Sequence, residues 1–582
     1  MNTTAGLIAV VAVTVLTLGI GAFGLRLSRT TSDFYVASRS VSPTWNASAI
    51  GGEYLSAASF LGAAGLILAY GADMLWYPVG WTAGYLVLLV LVAGPLRRSG
   101  AYTLPDFAEA RLQSRTGRRV ASVLVVLIGW LYLLPQFRGA GLTLHTATGA
   151  PVWSGGVIVA LIVLVSVASG GMRSITFVQA FQYWLKLTAI AVPIAFLFLA
   201  WRADGAPGNS AHDVPVFPET TTVRIETDVV VRVQQPITVT VDGTQRRLAA
   251  GEHELEAGAT MTFPKGAAVP GEQDLRSLDN DSWLAPLGED QEHPLYATYS
   301  LILATFLGTM GLPHVLVRFY TNPDGRAARR TALAVIGLLG AFYLFPAVYG
   351  ALGRIYTPDL LLTGRTDAVV LELPGRLLPG LGGELLGALV TAGAFAAFVS
   401  TSSGLTVSVT GVLSQDLARS QGSQPLFRWG GRRRAWAVTQ FRLAAVAAVI
   451  VPVLLALIAE RLTVASIVGL AFAVAASTFC PLLVLGIWWR RLTDVGAIAG
   501  LIAGGGLAGG AVIATLAGDH PGWVGTLLAQ PAAWTVPIAF GVMIVVSLLT
   551  PRRMASDVAR TMVRLHAPEQ IDIDRSDPPL TK

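Results

Sequence analysis

The chain has 582 residues, 53% hydrophobic and only 13% charged, with a net charge of +6. Soluble domains carry about 25% charged residues, so the composition is that of a polytopic membrane protein, not of a string of soluble domains. The arginines cluster at the ends of apolar runs, the pattern that sets membrane topology, which argues against a nucleic-acid partner. The single cysteine, Cys480, excludes an internal disulfide.

The first apolar run, Leu7 to Leu25, has no basic region before it and is followed by Arg26 and Arg29. This favours a retained span with its N-terminus outside over a cleaved signal peptide. Thirteen candidate spans follow from hydropathy, at 5–25, 45–70, 75–96, 120–145, 152–169, 175–201, 297–319, 331–353, 381–411, 437–459, 463–489, 494–517 and 531–550. Each is near or above the roughly 20 residues a helix needs to cross a bilayer. The basic clusters Arg26–Arg39, Arg97–Arg119, Arg173, Arg318–Arg330, Arg432–Arg434, Arg490–Arg491 and Arg552–Arg553 all follow odd-numbered spans. With those loops cytoplasmic, the expected protein is multi-pass in the cell membrane, N-terminus outside and C-terminus inside.

The second span reads Ile50-Gly-Gly-Glu-Tyr-Leu-Ser-Ala-Ala-Ser-Phe-Leu-Gly62, with Ser48 just before it. Glycines weaken the helix, and a charge facing lipid costs about 2.5–3.5 kcal/mol on insertion scales. A span that loosens at mid-membrane to hold an ion or solute would need such a sequence. The seventh span contains Thr309-Met-Gly311-Leu-Pro313-His314, where proline removes one N–H and frees a carbonyl, assigned to Thr309. The ninth contains Ala397-Phe-Val-Ser400-Thr401-Ser402-Ser403-Gly404, whose hydroxyls can give hard oxygen ligands to a small cation without adding charge. Helix-packing surfaces are the bland alternative for any one of these segments. Breaks five spans apart, in the second and seventh, instead suggest inverted repeats over spans 2–6 and 7–11.

Other polar residues have two readings each. Gln136 is a pocket candidate. Arg138 could meet a substrate carboxylate but is read as snorkelling to the interface, and Lys186 is read as snorkelling inward. His314 is read as a helix-packing hydrogen-bonder before a proton carrier, and Trp45, Trp76 and Trp81 as interfacial belt residues. Between the sixth and seventh spans, residues 202–295 hold sixteen of the 35 acidic residues and seven basic ones. Val229-Val-Val-Arg-Val and Ile237-Thr-Val-Thr-Val, the latter followed by Asp242-Gly243, read as alternating strands with a hairpin turn. A small extracytoplasmic β-rich insert is expected there, with a disordered acidic insert as the alternative. There is no P-loop, no His-Glu-x-x-His pair and no nucleophile elbow, so an enzyme has no candidate machinery and no cofactor is expected.

At these residues the sequence resembles the sodium/solute symporter family, over about residues 33–500. Gly311-Leu-Pro-His314-Val-Leu-Val-Arg318-Phe and Ala397-Phe-Val-Ser400-Thr401 carry the resemblance. Within the family it is most similar to the acetate and monocarboxylate permease branch, through Gly52–Gly62, Gly100-Ala-Tyr-Thr103, Leu131-Tyr-Leu-Leu-Pro-Gln136, Gly139-Ala-Gly141 and Gly469–Ser477. The resemblance implies an all-α, LeuT-type fold of five-plus-five inverted repeats. It also implies a sodium site made by the carbonyls of Gly52, Leu55 and Ala397 and the hydroxyls of Ser400 and Thr401. Several family members place an aspartate in the sixth span near the sodium path, where this chain has Gln179.

The expected domains are an N-terminal extra span (1–30), a first repeat (45–201), the insert (202–295), a second repeat (296–490), two further spans (491–550) and a cytoplasmic tail (551–582). The expected function is symport of a short-chain monocarboxylate, such as acetate, propionate or pyruvate, with sodium or protons as the coupling ion. The anion would dock near Glu53, Tyr54, Ser56, Gln136, Thr309, Gly311 and His314, with Glu53 in a coupling or structural role. The alternatives are another small solute, an amino acid or a sugar, on the same fold, or a transporter-like membrane sensor.

Overall fold

The computed structural model describes residues 3–27, 37–208, 214–225, 228–272, 279–287, 293–420, 431–457, 464–518 and 520–569. Parts of the expected insert, the side chains of Arg26, Arg29 and Arg432–Arg434, and the expected tail beyond residue 569 lie outside the described set.

The first half of the chain opens with α1 (Thr3–Leu27) and α2 (Pro43–Tyr54). A π-helical turn over Ala58–Gly62 leads into α3 (Ala63–Tyr70), and a 3₁₀ turn over Gly71–Leu75 leads into α4 (Trp76–Val87). Then come α5 (Ala93–Arg98), α6 (Leu104–Leu112), α7 (Arg115–Thr148) and α8 (Val152–Ala203). The second half has α9 (Asn280–Leu284), α10 (Pro294–Gly311), α11 (Pro313–Phe319), α12 (Gly325–Tyr356), α13 (Asp359–Leu362), α14 (Val369–Leu377) and α15 (Leu381–Ser420). It closes with α16 (Gly431–Ala456), α17 (Val464–Trp488), α18 (Asp494–Ala517), α19 (Gly522–Ala529), α20 (Ala532–Leu549) and α21 (Val558–His566).

Among the described residues, ten helices are long and apolar enough to cross a membrane, or eleven if the bent pair α10 and α11 counts as one span. Thirteen spans were expected, and the difference has two sources. The apolar helix Ala58–Arg98 holds most of the expected second and third spans in one 41-residue run. The expected fifth and sixth spans share the 52-residue α8, whose first apolar segment, Val152–Ala168, is a short one. At 1.5 Å per residue α8 is about 78 Å long, well over the roughly 30 Å of hydrocarbon.

Among the described residues, two helices are broken within the buried bundle. α2 ends at Tyr54, and Leu55 leaves helical geometry with ψ 87° before the π-helical turn begins. Leu312 is extended at φ −74° and ψ 117°, and Pro313 starts α11 at a 45° bend from α10. Proline suits that first helical position because its missing N–H would be an orphan there anyway.

Among the described residues, seven strands lie between α8 and α9, in two antiparallel sheets ordered β1-β6-β3-β4 and β5-β2-β7. They are β1 (Thr221–Arg224), β2 (Val229–Val233), β3 (Ile237–Val241), β4 (Thr244–Leu248), β5 (Gly251–Leu255), β6 (Thr260–Phe263) and β7 (Gly271–Glu272). Asp242 and Gly243 turn between β3 and β4 with φ of 47° and 81°, as a two-residue hairpin with positive φ at both positions requires. The segment after the strands is tied to the helices: Trp283 Nε1 donates to the Ile67 carbonyl at 2.7 Å, and Arg354 Nε to Asn280 Oδ1 at 2.6 Å.

Candidate functional site

The break after α2 releases backbone groups that an intact helix would have paired. Four of them have found a side chain from another helix. Gln136 on α7 accepts from the Ala57 N–H at 2.9 Å, and Thr401 on α15 donates to the Glu53 carbonyl at 2.6 Å. The carbonyls of Gly52 and Leu55 are taken by Lys186 on α8, whose ammonium donates to both, at 2.8 Å to Leu55, and to Ser400 Oγ at 2.7 Å. Lys186 is fully buried, so the snorkelling expected from its depth in the span is corrected. The end of a half-helix offers aligned carbonyl dipoles, and these attract the lysine inward. Close approach of α2 to α8 depends on Gly52, where an added Cβ would sit 2.0 Å from the Gln179 carbonyl.

Three of the five oxygens expected to bind sodium thus surround one ammonium. The other two lie beside them: the Ala397 carbonyl accepts from Ser400 Oγ at 3.0 Å, and Thr401 holds the Glu53 carbonyl.

Glu53 and Arg318 form a buried ion pair, Arg318 Nε donating to Glu53 Oε2 at 2.5 Å with both side chains 1% exposed. The expectation that Arg318 belongs to the loop charges that set topology is corrected: it lies inside the bundle. Its other nitrogens donate to Thr176 Oγ1 at 2.9 Å and to Gln179 Oε1, while Gln179 Nε2 donates to the Ser400 carbonyl at 2.9 Å. Thr176, Gln179, Tyr183 and Lys186 are spaced i, i+3, i+7, i+10, one face of α8. That polar stripe was the signal in the sequence that could have placed Lys186 in the site.

The remaining expected residues gather around both breaks. Tyr54 Oη and Thr309 Oγ1 share a hydrogen bond of 2.8 Å, which joins the end of α2 to α10. Tyr132 Oη reaches Ser56 Oγ at 3.5 Å, and the ring of Tyr132 lies 5.2 Å from that of His314. Gly311 packs so tightly on α17 that a Cβ there would meet the Ala475 carbonyl at 2.3 Å. Aromatic rings line the same region: Tyr54 on Tyr85, Trp81 on Tyr343, and Phe472 near Tyr54, Trp81 and Tyr132. Trp81 is 1% exposed and belongs to this cluster, not to the interfacial belt; Trp45 and Trp76 are exposed. Arg138 is half-buried and faces Asp367 electrostatically. Among the described residues, Trp81 Nε1, Tyr85 Oη, Glu53 Oε1 and both ring nitrogens of His314 are buried without a hydrogen-bond partner.

The sodium:solute symporter family matches residues 34–211 and 265–504. The chain belongs to that family. It is a membrane symporter and not an enzyme. The unmatched stretch between the two segments contains β1 to β6.

Among the relatives of this symporter, a protein of Bacillus subtilis named as an uncharacterized symporter is 32% identical over 87% of the chain and 85% of its own length. A monocarboxylic acid transporter of Corynebacterium glutamicum is 31% identical over 82% of the chain and 78% of its own length. The fold is shared with a Na+-coupled sialic acid symporter in a substrate-bound outward-open state, at a TM-score of 0.60 and 13% identity over 95% of this chain and 98% of that one. A nucleobase-cation-symport-1 family transporter, closed around bromovinylhydantoin, matches at a TM-score of 0.51 and 13% identity over 92% and 99%.

Proposed function

We propose that this symporter imports a short-chain monocarboxylate, such as acetate, propionate or pyruvate, by alternating access coupled to a monovalent cation. The observation that carries the proposal is the set of unmatched buried donors near the two breaks. An indole N–H can only donate, and Trp81 has nothing to donate to. With His314 and Tyr85 it gives a carboxylate three groups to bind, inside an aromatic wall suited to a short apolar tail. Kinship to a protein named as a monocarboxylic acid transporter supports the same substrate class.

In this reading the helices make thirteen spans, with repeats over 45–201 and 296–490 that rock about the two breaks, the N-terminus outside and the C-terminus inside. The groups that hold the anion are Trp81, Tyr85 and His314, with Tyr54, Ser56 and Thr309 beside them. Gln136 shapes the site by capping Ala57, and Gly311 by letting α10 approach α17. Glu53 has a structural role, its charge met by Arg318.

Counterflow in proteoliposomes tests the substrate class. Vesicles preloaded with unlabelled pyruvate are expected to take up labelled pyruvate and to be inhibited by acetate and propionate, but not by amino acids or sugars. Exchange of an amino acid or sugar without exchange of pyruvate would sink the proposal. A hydrogen bond to a charged group is worth about 1.5–3 kcal/mol. Trp81→Phe is therefore expected to raise the KM for pyruvate roughly tenfold or more, and an unchanged KM would remove Trp81 from the site.

A further inference from the structure

We infer that the Lys186 ammonium is the resident cation of the site between the α2 break and α15, and that it keeps sodium out of that site. The inference deepens the symport reading above and rests on it, because it concerns which cation holds the two helices together.

The donor count carries the argument. A lysine ammonium has three N–H donors and no acceptor. The Gly52 carbonyl, the Leu55 carbonyl and Ser400 Oγ use all three. These are the oxygens of two helices, α2 and α15, that a bound metal cation would have to bridge. Lys186 reaches them from a third helix, α8, with no exposed surface of its own. A sodium ion on the same oxygens would lie within bonding distance of Nζ, so the two cations exclude one another. The residues present therefore do not fit sodium while Lys186 is in place.

Glu53 has a nearer cation than Lys186. That carboxylate already has Arg318 at 2.5 Å, and Gly404 leaves it room: a Cβ on Gly404 would be 2.0 Å from Glu53 Oε1. The charged groups of the cluster are Glu53, Arg318 and Lys186, one negative and two positive. With all three ionised the cluster holds one positive charge in excess, which a monocarboxylate docked beside Leu55 and Ser56 would balance. A tethered cation thus supplies the counter-charge that a co-transported ion would otherwise bring to this place.

Thermal unfolding of the purified full chain, in sodium chloride and in choline chloride of equal concentration, tests the inference without any substrate. The wild-type Tm is expected to be the same in both salts. Lys186→Ala, which frees the oxygens, is expected to lose stability in choline and to regain a few degrees in sodium, because a ligand that binds only the folded state raises Tm. Should that variant fail to fold, the wild type decides through pyruvate counterflow, expected to run at the same rate with sodium replaced by choline on both sides. A wild-type protein that sodium stabilises, with the effect abolished in Ser400→Ala, overturns the inference. Failure of the carboxylate reading shows separately, as absence of pyruvate counterflow in a protein whose Tm still ignores sodium.

Discussion

Arg318 and Glu53 show what a buried charge requires at the scale of the residue. Removing one partner of a buried ion pair strands the other and costs about 3–5 kcal/mol, whereas removing both leaves no stranded charge. Arg318→Met is therefore expected to lower Tm sharply and to abolish uptake. The Glu53→Gln/Arg318→Met double variant is expected to melt higher than the sum of the two single losses predicts. Additive losses in this cycle would mean that the pair has no coupling. The sequence made Glu53 conspicuous, since a carboxylate in a span is rare, but did not reveal its partner. Arg318 lies 265 positions away and stands at the head of a run of basic loop residues, so the topological reading absorbed it. Lys186 was misplaced for a related reason. Depth along a span is legible from hydropathy, whereas the direction a side chain faces depends on neighbours not yet known.

At the scale of the element, the breaks themselves were legible. Gly51-Gly52 and Pro313 weaken helices locally, and local causes can be read locally. Of the groups that satisfy the broken ends, Gln136 and Thr401 were site candidates in the sequence, but Lys186 and the particular pairings were not legible, because they join separate helices, α7, α8 and α15. Gln136→Leu is expected to leave the Ala57 N–H buried and unpaired, a loss of about 1–3 kcal/mol seen as a lower Tm. No fall in Tm would mean that another acceptor replaces it. α15 offers a matched comparison. A methyl group at Gly404 would strike Glu53 Oε1, while one at Gly411 meets nothing within 4 Å. Gly404→Ala is expected to impair uptake and folding, and Gly411→Ala, seven residues along the same helix, to do neither. Equal behaviour of the two would show that close approach at Gly404 is unimportant.

At the scale of the whole molecule, the helical bundle is fastened at its periphery by polar contacts that the composition gave no hint of. Trp283 and Arg354 join the segment after the strands to α3 and α12, with the Arg354 guanidinium 4.9 Å above the Trp283 ring. α21 is held in a comparable way through Glu569, which follows it. Glu569 Oε1 accepts from the Gly325 N–H at 2.7 Å and from Arg98 Nε at 3.2 Å. Partial burial pushes this carboxyl up, but the Gly325 N–H and Arg98 outweigh it and hold the group below its usual value of 4.5. A carboxylate depressed in the folded state contributes stability above its unfolded pKa and loses it as pH falls through the folded one. The contribution is small, since Glu569 is about one third exposed and solvent screens the pair. It should nonetheless be visible locally. Hydrogen exchange of the α21 amides, corrected for intrinsic pH dependence, is expected to stay slow down to about pH 5 and to speed up as pH drops below the usual carboxylate value. Glu569→Gln keeps the shape but not the charge. In that variant the amides are expected to exchange faster already at neutral pH, without the acid step. The same step in both proteins would assign the titration to another group and leave α21 held by its apolar face, Val558, Met562 and Leu565, alone.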